Sequence, residues 1–73
     1  MPIRGSDLKR VAEAMGWAWE TSSGGGSHFK LKRDGNNTVS VALGNGLKTE
    51  ISDKLLKKIA RQMGVSFEAL RNG

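Results

Sequence analysis

Three side chains near the middle of the chain bring proton-transfer and phosphate-binding chemistry together. His28, Lys30 and Lys32 alternate with Phe29 and Leu31 in the run His28-Phe29-Lys30-Leu31-Lys32. Period-two alternation sends His28, Lys30 and Lys32 to one side of a strand and Phe29 and Leu31 to the other. Just upstream, Ser22 to Ser27 reads S-S-G-G-G-S, which has no periodicity and is expected to be a loop. Histidine titrates near neutrality and can serve as general acid or base, worth about 10²–10⁴-fold in rate. Lys30 and Lys32 would neutralise phosphate oxygens, and amides of the glycine loop around Gly26 and Ser27 would donate hydrogen bonds to them. This is the equipment of metal-free RNA cleavage, in which the ribose 2′-OH attacks the adjacent phosphorus and the protein moves protons. The plain alternative is that a polar-face histidine on a strand is an ordinary surface residue.

Other chemistries find little support. There is one histidine, no cysteine, and seven scattered carboxylates, so neither a metal site nor any other cofactor site is expected. The glycines at 24 to 26 do not fit the G-x-x-x-x-G-K-[ST] frame of a phosphate-binding loop.

Twelve Lys and Arg against seven Asp and Glu give a formal charge of +5 and a pI near 10.1. Such an excess on 73 residues favours an anionic partner: nucleic acid, an anionic membrane or an acidic protein. Uninterrupted apolar runs reach only two or three residues, as in Val41-Ala42-Leu43. A transmembrane helix and a signal-peptide core are thereby excluded, so no membrane role and a cytoplasmic location are expected. The lack of cysteine fits a reducing compartment. One domain over residues 1–73, with one thin core layer, is all that this length allows.

The elements that must hold His28 in place are legible. Leu8, Val11, Ala12 and Met15 recur at helical spacing, with Ser6 or Asp7 as cap and Gly16 as stop. Trp17 to Thr21 alternates as a strand with both tryptophans on one side, more suited to a core than to base stacking. Asp34-Gly35-Asn36-Asn37 is a turn joining the His28 strand to a third strand, Thr38 to Leu43. Leu47 to Ile51 is expected as a connecting loop. A second helix begins at Ser52 or Asp53 and stops at Gly64. It gathers Leu55, Leu56, Ile59, Ala60 and Met63 on one side and Lys54, Lys57, Lys58 and Arg61 on the other. That basic stripe suits phosphate contact or plain solvation. Ser66 to Leu70 is expected to add a last helical turn. The fold class is therefore α+β, ordered α-β-β-β-α. A three-stranded antiparallel sheet would carry two helices packed on one face.

In this frame the chain resembles the HicA (YcfA-like) toxin family. The similarity runs from Arg4-Gly5-Ser6-Asp7-Leu8 through Met15-Gly16-Trp17 to Gly26-Ser27-His28-Phe29-Lys30-Leu31. It continues through Asp34-Gly35, Thr38-Val39-Ser40-Val41, Leu56-Lys57-Lys58-Ile59 and Met63-Gly64-Val65-Ser66. The resemblance implies a double-stranded-RNA-binding-domain-like fold and a metal-independent endoribonuclease that cleaves mRNA. It makes His28 the catalytic histidine. It also implies a toxin that is monomeric when free and forms a hetero-oligomer with a HicB-type antitoxin. Many family members read Pro-x-His after the third strand, where this chain has Ala42-Leu43-Gly44. His28 is thus expected to carry proton transfer largely alone, giving a slow enzyme. Two other functions share the same residues: an RNA-binding module that does not cut, and a basic subunit that docks an acidic protein.

Overall fold

The computed structural model describes residues 3–21 and 28–72. Its elements are β1 (Ile3–Arg4), α1 (Gly5–Ala14), β2 (Ala18–Thr21), β3 (His28–Lys32), β4 (Val39–Ala42), a 3₁₀ turn (Gly46–Lys48), β5 (Glu50–Ile51), α2 (Asp53–Met63) and α3 (Phe67–Asn72). The α-β-β-β-α order and the antiparallel sheet β2-β3-β4 are those expected. The arrangement is that of a double-stranded-RNA-binding-domain-like fold.

The alternation in the strands decides which face is closed. Phe29, Leu31, Val39 and Val41 are buried, while His28, Lys30, Lys32, Ser40 and Ala42 are exposed. Leu8, Val11 and Ala12 of α1 and Leu56, Ile59, Ala60 and Met63 of α2 join the buried strand residues in one core. Both helices therefore cover the same face of the sheet, and the other face is open. Trp17 is buried and Trp19 half-buried against that core, the latter 5.2 Å from the Phe29 ring centroid. The tryptophans belong to the closed side, as their spacing implied.

The helix ends follow ordinary capping chemistry. The Ser52 hydroxyl accepts from the Leu55 amide at 3.2 Å, and Gly64 closes α2 in the left-handed region at φ 75°. At α1 the observed start differs from the expected one. The helix begins at Gly5, with Arg4 at the N-cap. The Asp7 carboxylate reaches back to accept from the Arg4 amide at 3.0 Å, as the third helical residue of a capping box does.

The segment before α2 also departs from the expected plain loop. Glu50–Ile51 is a short strand that pairs antiparallel with Ile3–Arg4, matching Ile3 to Ile51 and Arg4 to Glu50. The Gly5 amide donates to the Thr49 carbonyl at 2.9 Å. This clamp ties the start of α1 to the approach of α2, fixing the two helices that brace the closed face. It needs glycine at position 5. A Cβ there would lie 2.8 Å from Leu43 Cδ1, 3.0 Å from Leu47 Cα and 3.1 Å from the Gly46 carbonyl oxygen.

Candidate functional site

The open face of the sheet is built in rows by strand register. His28 stands opposite Ala42 at one end. Glu20, Lys30 and Ser40 form the middle row, and Ala18 and Lys32 the next. At about 3.3 Å per residue, His28 and Lys32 lie about 13 Å apart along β3. Each of these side chains is exposed, because its strand neighbours Phe29 and Leu31 are committed to the core. The imidazole thus reaches solvent on a surface that no helix covers.

The two lysines of β3 are not equivalent. Lys32 Nζ lies 3.1 Å from Glu20 Oε1, across the diagonal that the β2–β3 register creates. Among the described residues Lys30 forms no ion pair. Its charge faces solvent one row from His28, whereas the charge of Lys32 is shared with a carboxylate. Gly26 and Ser27, and the glycine run to which they belong, lie outside the described residues.

Beyond Lys32 the open face ends in a shallow polar pocket whose walls include Gly16, Ala18, Lys32, Arg33, Gly35 and Asn36. Arg33 adds a guanidinium there, since it enters no ion pair among the described residues. In the sequence Arg33 is only a charge before a turn. In the structure it lines this pocket beside Gly35, whose φ of 81° turns the chain back.

The basic stripe of α2 is divided by its neighbours. Lys54, Lys57, Lys58 and Arg61 are all exposed, and none makes an ion pair among the described residues. Lys57 Nζ sits 5.3 Å from the Phe67 ring centroid, on the α3 side of the helix. Arg71 faces the same ring at 5.9 Å and holds both carboxylate oxygens of Asp53 at 3.1 Å. Asp53, the acidic residue within the stripe, is thereby turned towards α3. Lys58 lies on the opposite flank, in a groove shared with Ser40 and Ala42 of β4. Lys54 precedes it by one turn, at i, i+4. The groove that Lys58 lines runs along β4 to Ala42, the cross-strand partner of His28. The stripe does not act as one patch.

Among the described residues no three His, Cys, Asp or Glu side chains gather in one place, and no described helix is long and apolar enough to cross a membrane. The arrangement can do two things chemically. An exposed imidazole can exchange protons with a bound substrate, and cations that are unpaired among the described residues, Lys30 the nearest along the strand, can hold an anionic backbone.

Comparison with known proteins agrees with this geometry. Residues 5–65 match the family model described as the HicA toxin of bacterial toxin–antitoxin. That span runs from the close-packed Gly5 to Val65 and contains the whole sheet with α1 and α2. No curated protein matches the chain.

Proposed function

Because the chain belongs to the HicA toxin family, the toxins of bacterial toxin–antitoxin pairs, we propose that it is an endoribonuclease that cleaves mRNA in the cytoplasm at His28. The observation that carries this reading is the position of His28. It is an exposed imidazole on the one face of the sheet that the helices leave open, with Lys30, unpaired among the described residues, one row away and Lys58 lining the groove that reaches its partner Ala42.

The reaction needs no atom from outside the RNA other than protons. The ribose 2′-oxygen attacks the adjacent phosphorus, the bond from phosphorus to the 5′-oxygen breaks, and the products carry a 2′,3′-cyclic phosphate and a 5′-hydroxyl. His28 takes the 2′-OH proton as base or delivers one to the departing 5′-oxygen as acid, and water completes the transfer. Lys30 and Lys58 stabilise the negative charge that grows on the phosphorane oxygens. Lys54 and Arg61 hold more distant phosphates, Lys57, turned towards Phe67 of α3, lies off this path, and Lys32 contributes when it leaves Glu20. Gly26 and Ser27 stand next to His28 in sequence and are assigned to the same phosphate. With one imidazole in the chain, a slow turnover is expected.

The natural inhibitor of such a site is a protein that covers it. A HicB-type antitoxin would neutralise the toxin by presenting acidic groups to this open, basic face and burying His28 in a hetero-oligomer.

Purified protein free of antitoxin should fragment mRNA in the presence of EDTA, and His28→Ala should slow this by about 10²–10⁴-fold with unchanged RNA affinity. Intact RNA with the wild-type protein would overturn the nuclease reading and leave a binding module. Full cleavage by His28→Ala would move the chemistry to another residue.

A further inference from the structure

The groove between β4 and α2 is not used by the chemistry above beyond Lys58, and its composition is unlike the rest of the basic surface. Ser40 and Ala42 form one wall, Leu55, Lys58 and Gln62 the other. Leu55 is half-buried, so its side chain floors the groove while still meeting solvent. Lys58 and Gln62 are one helical turn apart and Leu55 is three residues before Lys58, which sets all three on one flank of α2. On the β4 side, Ser40 and Ala42 are i, i+2 and so share the open face.

The register decides where this groove begins. Ala42 is the cross-strand partner of His28, and side chains so paired stand about 4.5–5.5 Å apart at Cβ. Ala42 lines the groove, so the groove reaches the cross-strand neighbour of His28. A larger residue at 42 would take up space in the groove there.

We propose that the groove is a nucleoside subsite for the ribonucleotide adjoining the phosphate at His28, and that Gln62 reads its base. The inference rests on the RNA-cleavage reading for the phosphate at His28. Three features fit one nucleotide together. Leu55 and Ala42 offer the apolar surface on which a base or ribose lies, Lys58 pairs with its phosphate, and Ser40 and Gln62 present hydrogen bonds at the rim. A side-chain amide carries a donor and an acceptor side by side. It therefore distinguishes base edges that a lysine or a hydroxyl does not. The sheet's aromatic residues, Trp19 and Phe29, face the core, so stacking on the open face cannot select a base, whereas hydrogen bonding at the groove can. An acidic peptide is the less suitable occupant, since among the described residues Lys58 is the one cation that lines the groove, which gives little to hold a run of carboxylates.

Binding to short single-stranded oligoribonucleotides tests this without relying on cleavage. The probes carry a 2′-O-methyl group at the scissile position, which blocks attack, and differ only in the base beside it. Wild-type protein should discriminate among the bases by at least about fivefold, the scale of one bidentate base contact. Gln62→Ala should flatten that spread, and Ala42→Glu should weaken binding of every probe. Gln62 and Ala42 are exposed, and a thermal melt checks that both variants fold. Equal affinity of wild type for all bases, an unchanged spread in Gln62→Ala, or unchanged binding by Ala42→Glu would overturn the inference. So would variants that keep RNA binding but lose the antitoxin, which would make the groove a protein dock. Wild-type protein that discriminates bases yet leaves unmodified RNA intact would sink the nuclease reading while leaving the groove assigned.

Discussion

The two faces of the β2-β3-β4 sheet share a backbone and differ in the work their side chains do. On the closed face Leu31 and Val39 are opposite one another and have lost essentially all contact with water. On the open face, one residue away along the same strands, Lys30 and Ser40 are opposite one another and exposed. Hydrophobic burial on one side fixes the register, and the register then dictates which polar groups meet on the other. His28 needs no contact of its own to be positioned, because Phe29 and Leu31 hold its strand. A small protein can in this way place a reactive residue on a rigid element and leave it open to a large substrate.

If that division holds, adjacent substitutions should separate stability from activity. Leu31→Ala removes a fully buried side chain and should cost about 2–5 kcal/mol. For 73 residues the whole stability is expected to be about 4–11 kcal/mol, so the melting temperature should fall sharply in calorimetry. His28→Ala, the change already assigned to the chemistry, should leave that temperature nearly alone. Equal losses of stability from the two substitutions would break the division of labour between the faces.

Adding atoms should sharpen the same contrast. Gly5→Ala places a Cβ against Leu43 and the backbone of Gly46 and Leu47, where there is no room. Overpacking of this kind costs about 1–3 kcal/mol, and denaturant melts should show it as a lower midpoint. Ser40→Thr adds one methyl on the open face and should stay within about 0.5 kcal/mol of wild type. A neutral Gly5→Ala would mean that the clamp between β1 and β5 yields more readily than its contacts indicate.

How much of this could be seen in the residues alone depends on how local the cause is. The alternation around His28, the Ser52 cap and the Gly64 stop are local patterns, and each appears in the structure where the sequence placed it. The β1–β5 clamp was missed because its strands have two residues each and lie far apart in the chain, which leaves no periodicity to read. Asp7 signals a helix start, yet only the chain's path shows that it caps from inside the helix. The pairing of Lys32 with Glu20 comes from strand register, and the placing of Gln62 and Ser40 along one groove from helix-to-sheet packing. The side chains around His28 were therefore less legible than His28 itself, since most of them reach it from other elements.

The smallest expected effect concerns that Lys32–Glu20 pair, and it tests whether the open face is divided further. Lys30 and Lys32 look equivalent by spacing, but only Lys32 has a carboxylate at 3.1 Å. Both side chains of the pair are 49% exposed, so the interaction is worth about 0–1 kcal/mol and Glu20→Gln should barely change the melting temperature. Its effect should appear in RNA binding. With the carboxylate neutralised, Lys32 is free to meet a phosphate, so affinity at low salt should rise a few-fold. The salt dependence should also steepen, by about 0.7 in the log–log slope for one added contact to a single strand. Lys32→Ala in the same background should return the slope to its original value. A slope that Glu20→Gln leaves unchanged would show that the RNA path stops at Lys30, confining the working part of the open face to the rows nearest His28.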